Sequence, residues 1–260
     1  MRVAIVTGAA RGIGAATVDA LVNDNYHVVA VDLCRDIPDV PYALATRADL
    51  DAVVARHGDS VLGLVGDARS APDMALAVET ATRHFGRLDA VVAGAGVVGE
   101  GAPLWRVSDG SWDAVWSVNV LGTRRLIEAA APTLIANGPL AHGRIVAVAS
   151  AAGSLGLRHL AAYSAAKHAV VGLTRGVAMD LAEYGVCANV VSPGSTRTAI
   201  LEASARVYGL NSGESFALQQ PIGRLIDPTE VAAAIVWLCS PASSALTGAV
   251  VAVDGGMTVH

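Results

Sequence analysis

Tyr163 and Lys167 stand four positions apart, and Ser150 lies thirteen positions upstream of the tyrosine at the end of an apolar run. If Tyr163-Ser-Ala-Ala-Lys167 is helical, positions i and i+4 share a face, which sets the lysine ammonium near the phenol. A free phenol titrates near pH ~10, and a neighbouring cation favours its anion, moving it toward the range of a general acid/base. Ser150 would then hold a substrate oxygen while Tyr163 exchanges its proton. A half-buried tyrosine beside a solvated lysine has the same spacing, so the weight of the triplet comes from the rest of the chain.

Residues 3 to 6, Val-Ala-Ile-Val, read as a short buried strand, followed by Thr7-Gly8-Ala9-Ala10-Arg11-Gly12-Ile13-Gly14 and a helix-forming stretch to Val22. Strand, glycine-rich turn and helix make a phosphate cradle. Gly8 allows the tight turn, Gly12 lets the backbone approach a pyrophosphate, and Gly14 lets the helix pack closely. The helix N-terminus offers unpaired N–H groups to the anion. The next apolar run, Val28 to Val31, ends in Asp32, eighteen residues past Gly14. A carboxylate there can accept hydrogen bonds from a ribose diol.

These groups need a scaffold, and the chain alternates short apolar runs with helical stretches. Strands are expected at 3–6, 28–31, 61–65, 88–92, 144–149, 187–191 and 249–253, and helices at 15–22, 47–56, 73–85, 112–136 and 161–184. Thr46 is a plausible N-cap for the second helix. This alternation indicates an α/β fold with a parallel sheet buried on both faces. Ligands in such sheets bind at the carboxyl ends of the strands, where Gly8, Asp32, Asp67, Gly94, Ser150 and Pro193 all fall.

Composition agrees with one domain over residues 1–260. No linker, charge run or repeat interrupts the chain, and a doubly wound fold of this length often forms a single unit. Hydrophobic residues make up 53%, yet no run approaches the roughly 18 apolar residues of a membrane helix. Met1-Arg2-Val3 enters a strand directly, so no signal peptide and no membrane association are expected. Cys34, Cys187 and Cys239 are isolated, with no metal-site spacing, which points to a reducing cytoplasm and no metal. A net charge of −5 argues against nucleic acid as a partner.

From Val3 to Asp254-Gly255-Gly256 the chain resembles the short-chain dehydrogenase/reductase family, whose fold is a single-domain Rossmann-type doubly wound parallel sheet with helices on both faces. The family's glycine motif matches Thr7 to Gly14, its catalytic tetrad falls on Asn119, Ser150, Tyr163 and Lys167, and its Pro-Gly motif on Pro193 and Gly194. The resemblance also places Ile13, Leu33, Ala68, Ala93, Ala95, Thr196 and Thr198 against the cofactor, with Thr198 at the nicotinamide carboxamide. One departure stands out: the family's Asn-Asn-Ala-Gly is Ala93-Gly94-Ala95-Gly96 here. Altered support for that loop is expected, without loss of binding.

Cofactor choice sets Arg11 against Asp32. In related enzymes a cation at the first position meets the 2′-phosphate of NADP, whereas Asp32 would repel it. Unit charges ~4 Å apart interact by ~1 to 4 kcal/mol depending on screening, and a 2′-phosphate also forfeits the bonds of Asp32 to the free hydroxyl. NAD is the expected cofactor, with Arg11 solvated or resting near the turn.

Residues 33–45, Leu-Cys-Arg-Asp-Ile-Pro-Asp-Val-Pro-Tyr-Ala-Leu-Ala, exceed the roughly two to six residues usual for such a connection. This insert is similar to that of the mycofactocin-associated subfamily. The resemblance implies an NAD that stays bound and passes its electrons to the peptide-derived cofactor mycofactocin. Pro38 and Pro41 stiffen the segment, and Tyr42 is available to pack on the cofactor or the domain.

The expected reaction is hydride transfer between nicotinamide and a secondary alcohol or ketone. Tyr163 is the acid/base, Lys167 lowers its pKa and holds the nicotinamide ribose, and Ser150 positions the oxygen. Asn119 supports a water between Lys167 and solvent. Substrate walls are expected from 97–105, 151–159 and a lid at 195–222, with Trp105, Leu155, Leu157, Ile200, Leu201 and Phe216 favouring an apolar alcohol. Trp112 and Trp116 read as core, and His159 as surface. An ordinary dehydrogenase with exchangeable NAD and a non-catalytic dinucleotide-binding sensor are the alternatives. The family resemblance implies a homotetramer built on the helix faces at 112–136 and 161–184.

Overall fold

The computed structural model describes residues 1–259. Seven strands form one parallel sheet: β1 Arg2–Thr7, β2 Tyr26–Asp32, β3 Val61–Val65, β4 Ala90–Ala93, β5 Arg144–Val148, β6 Cys187–Pro193 and β7 Val250–Val253. Their spatial order is β3-β2-β1-β4-β5-β6-β7. Ile5 of β1 registers with Val29 of β2 on one side and Val91 of β4 on the other. The winding direction reverses between β1 and β4, which opens a crevice above their carboxyl ends.

Alternate residues of the central strands enter two different cores, and this is why the strands read as continuous apolar runs. Ile5, Val29, Val91 and Ile145 pack under α3 (Ala71–Phe85), α5 (Gly122–Ala136) and α6 (Ala161–Leu181). Ala4, Val28, Val92 and Val146 pack under α1 (Gly12–Asn23), α2 (Arg47–Ala55) and α8 (Pro228–Cys239). Thr46 and Asp49 form a reciprocal capping box at the start of α2, as do Asp227 and Glu230 at the start of α8.

All seven expected strands are present. The fourth starts at Ala90 instead of 88, because the Asp89 carboxylate turns inward to accept the Val3 N–H at 2.8 Å. The single helix expected over 112–136 is three pieces: α4 (Asp109–Trp116), a π turn at Ser117–Leu121, and α5. Two helices were not anticipated, α7 (Ala199–Val207) and α8. Among the described residues no helix is long and apolar enough to cross a membrane, and no group of three metal-ligating side chains occurs.

Candidate active site

One cavity of about 280 Å³ runs along the carboxyl edge of the sheet, from the glycine turn to α7. At one end Gly8 and Gly12 adopt φ of 69° and 56°, open to glycine at no steric cost. A Cβ on Gly14 would lie 1.9 Å from the Gly8 carbonyl oxygen, so only glycine lets α1 start this close to the turn. Arg11 is the N-cap of α1 but makes no side-chain cap bond, and no acidic residue occupies the first turn. The helix therefore presents free N–H groups to the cavity, a donor set that fits a pyrophosphate. Asp32 lines the same end, its carboxylate held by the Ala10 N–H at 3.0 Å and the Cys34 N–H at 3.3 Å.

Asp67, Ala68, Gly94 and Ala95 complete this wall. Burial works to raise the Asp67 carboxyl, but hydrogen bonds from Arg69 and the nearby Arg35 charge outweigh it and hold the group below its ordinary range. Ala93 departs from expectation. It is 3% exposed and packs in the core one residue short of the cavity wall. The loop lacking amide side chains is held by Thr7, whose hydroxyl oxygen accepts the Gly94 and Ala95 N–H groups at 3.2 and 3.3 Å. A Cβ on Gly94 would approach the Thr7 carbonyl oxygen to 2.8 Å.

The other end of the cavity gathers Ser150, Tyr163, Lys167, Pro193, Gly194, Thr196 and Thr198. Tyr163 and Lys167 lie in the first two turns of α6, and Ser150 follows β5, its hydroxyl oxygen accepting the Ala152 N–H at 3.1 Å. The Lys167 Nζ sits 5.6 Å from the centroid of the Tyr163 ring and donates to the Val148 carbonyl at 2.9 Å. Burial pushes the Tyr163 phenol up to about 12, with the Ser150 hydroxyl pulling it partway back. Burial also pushes Lys167 down to about 8. In the chain by itself, then, desolvation outweighs the expected cation effect on the phenol.

Asn119 does not line the cavity but stands behind it, in the π turn, 1% exposed. Its Nδ2 donates to the Val97 and Val115 carbonyls at 2.9 and 2.7 Å, while its Oδ1 is buried with no hydrogen-bond partner among the described residues. A Cβ on Gly96 would lie 2.9 Å from that oxygen and 3.3 Å from the Lys167 Nζ. Glycine at 96 keeps open the space between amide oxygen and ammonium, room and polarity that suit a bridging water.

The apolar wall comes from Val97, Leu157, Leu160, Ile200, Leu201, Tyr208 and Phe216. Two expected wall residues are elsewhere: Trp105 is 84% exposed on a surface turn, and Leu155 lies outside the cavity. Trp112 is half-buried and packs against Val115, Ala162 and Ala166, near the core as expected, whereas Trp116, stacked on it at 6.2 Å, is 40% exposed. His159 is half-buried in a left-handed backbone conformation, φ 63°, and accepts a hydrogen bond from Arg158. Tyr208, within the expected 195–222 lid, and Leu160, one residue beyond the expected 151–159 stretch, line the wall. Tyr208 also donates to the Arg158 carbonyl at 2.6 Å, tying the 195–222 segment to the loop before α6.

The insert is an ordered strap with an inner face of Ile37, Val40 and Tyr42 and an outer face of Pro38, Asp39 and Pro41. Arg11 is half-exposed and anchored. Its Nη1 donates to the Ala43 carbonyl at 3.0 Å, a bridge from the glycine turn to the insert. Tyr42 packs on the domain, its hydroxyl oxygen accepting the Val98 N–H at 3.1 Å.

A family model described as Enoyl-(Acyl carrier protein) reductase matches residues 8–258. The chain is 38% identical over 260 residues to cis-4-hydroxycyclohexanecarboxylate dehydrogenase of Sinomonas cyclohexanicum, covering 99% of this chain and 96% of that one. It is 36% identical over 265 residues to an uncharacterized NAD-dependent oxidoreductase of Mycobacterium tuberculosis, covering 98% and 95%. The crystal structure of carveol dehydrogenase from Mycobacterium avium in complex with NAD superimposes with a TM-score of 0.94 at 27% identity, over 100% of this chain and 98% of that one. With a glycine cradle, an aspartate at the end of β2 and a Ser-Tyr-Lys cluster on one crevice, and with relatives matched over nearly their whole length, the chain belongs to the short-chain dehydrogenase/reductase family.

Proposed function

We propose that the protein is an NAD-dependent oxidoreductase that interconverts an apolar secondary alcohol and its ketone. The observation that carries this reading is that one cavity holds the phosphate cradle and Asp32 at one end and Ser150, Tyr163 and Lys167 beside an apolar wall at the other. Asp32 selects NAD, since a 2′-phosphate would meet its charge and displace the ribose hydroxyl it can bind. The relatives named for carveol and for a hydroxycyclohexanecarboxylate agree with a secondary alcohol on a ring, and the apolar wall of this chain, not the charged second name, is what favours an uncharged one.

When bound, NAD supplies the hydride acceptor. In oxidation Tyr163 takes the hydroxyl proton, Ser150 holds the substrate oxygen, and Lys167 positions the nicotinamide ribose. Asn119 and the space beside Gly96 lead the proton from Lys167 toward solvent. The backbone of Asp67, Ala68, Gly94 and Ala95 would hold the adenosine, and Pro193 to Thr198 would hold the nicotinamide. Ala93 supports that loop from the core. The 195–222 segment acts as the substrate lid.

The insert would hold NAD between turnovers, so that its reoxidation would call for an external acceptor of the mycofactocin type. What supports this is the strap: the Arg11–Ala43 bridge crosses from the cradle to the insert, and Arg35 reaches to 3.9 Å from Asp67 on the far side. Both contacts tether the insert at the cofactor end, and an insert held closed there would slow dissociation more than capture. The protein works in the cytoplasm, its three cysteines free.

The test is to purify the protein, denature it and measure nicotinamide in the supernatant, then assay alcohols with added NAD alone and with a dye acceptor. Near one NAD(H) per chain, little turnover with NAD alone and restored turnover with the dye are expected. Tyr163→Phe should keep the cofactor and lose turnover. A protein that purifies empty and cycles freely on added NAD would be an ordinary dehydrogenase, and a Tyr163→Phe variant within about tenfold of wild type would remove the acid/base assignment.

A further inference from the structure

We infer that the middle of the insert, through Ile37 and Tyr42, is a wall of the alcohol site as well as a cover for the cofactor, and that it fits an uncharged cyclic alcohol. The inference rests on the dehydrogenase reading above. The two ends of the insert belong to the cofactor end of the cavity, Leu33 beside Asp32 and Ala43 held by Arg11. The middle reaches further, into a cluster that Leu33 and Leu44 near those ends only flank. Ile37, Val40 and Tyr42, 7%, 6% and 9% exposed, share one apolar cluster with Val97 and Val98, with Leu160, and with Ala203 of α7. Leu157, Tyr163, Ile200 and Tyr208 pack at the margin of that cluster. Apart from the insert, these residues come from the loop after β4, the loop before α6 with the first turn of α6, and the lid segment, which together enclose the substrate end.

Tyr42 secures the arrangement. Its bond to the Val98 N–H fixes the backbone next to Val97, and Val97 and Ile37 both face the cavity. On its outer side the insert is seated against α4: a Cβ on Gly110 would meet the Asp39 carboxylate at 2.5 Å. Removing bulk from Ile37 therefore enlarges the cavity where lid and insert meet, and removing the Tyr42 hydroxyl loosens the Val97 wall. Among the described residues the charged groups lining the cavity are Arg11, Asp32, Asp67 and Lys167. The first three stand at the cofactor end, and Lys167 is bonded to Val148, so a substrate carboxylate has no free cation to meet. An unpaired carboxylate in an apolar site is strongly disfavoured. A neutral ring is accepted.

The test compares cyclohexanol, the bicyclic alcohol 2-decalol and cis-4-hydroxycyclohexanecarboxylate, in assays containing both added NAD and a dye acceptor so that cofactor exchange does not limit turnover. Ile37→Ala should shift the kcat/KM ratio of 2-decalol to cyclohexanol by about tenfold toward the bicycle, more through KM than kcat, with nicotinamide per chain as in wild type. Ile37→Val should shift it less in the same direction and serves if the alanine variant does not fold. Tyr42→Phe should raise the KM for cyclohexanol about fivefold, because the buried Val98 N–H loses its acceptor. The carboxylate should be at least about a hundredfold poorer than cyclohexanol for wild type. A ratio unmoved in both Ile37 variants, or a carboxylate as good as cyclohexanol, overturns this inference alone. Failure of wild type to oxidise any alcohol overturns the dehydrogenase reading and this inference with it.

Discussion

Burial drives both Tyr163 and Lys167 toward their neutral forms, the phenol up to about 12 and the ammonium down to about 8. At neutral pH the phenol thus holds its proton, ready to donate to a ketone, and alcohol oxidation speeds up as pH rises. The lysine also has a signature in stability. Its unfolded pKa is 10.5 and its folded value about 8, so below pH 8 the fold bears the full penalty of a buried cation. Between pH 8 and 10.5 the folded chain sheds this proton before the unfolded chain does, and the penalty is relieved. Tyr163 acts oppositely, but only above its unfolded value of 10.0. In cofactor-free protein, the melting temperature of wild type relative to Lys167→Met should therefore rise between pH 8 and 10. A difference that stays flat in calorimetry across that range would contradict the buried-cation account.

Elements carry the contacts that single residues cannot. The π turn at Ser117–Leu121 inserts an extra residue between α4 and α5 and turns the Asn119 amide inward, a common use of π bulges at functional sites. The stretch 112–136 reads as one helix because the chain stays helical on both sides and the π turn absorbs its extra residue within five positions. The insert is the more consequential element. Its inner residues are too few and too irregularly spaced for a period, so its course depends on partners distant in sequence, Val98 lying fifty-six residues from Tyr42. Replacing residues 34–45 by a four-residue turn removes the Ala43 acceptor and the Arg35 contact together. NAD should then dialyse away and added NAD alone should support many turnovers, measured by nicotinamide content and steady-state rate. Retained cofactor in that variant would place the hold on NAD in the cradle alone.

At the scale of the whole molecule, the exposed flank of α6 carries small residues, Ala165, Gly172 and Gly176, with open space around both glycines. Such a flank lets a second helix approach closely, and a half-exposed Trp112–Trp116 stack lies on α4 nearby in the helical layer. A tetramer is the expected assembly, and a monomer by light scattering at micromolar concentration would overturn it. What the sequence determined on its own is local. The glycine turn, Asp32, the seven strands and the i, i+4 pairing of Tyr163 with Lys167 follow from steric rules and periods that act within a few residues. Even the overlooked α8 carried a local signal, the Asp227-Pro-Thr-Glu230 capping box before an apolar run. Only the tertiary structure decided that Thr7 replaces the missing amides, that Arg11 grips the insert, that Trp105 faces water and that Ile37 faces the cavity. Each of these joins segments distant in sequence, where the outcome depends on which surfaces the packed sheet brings together and which it leaves in water.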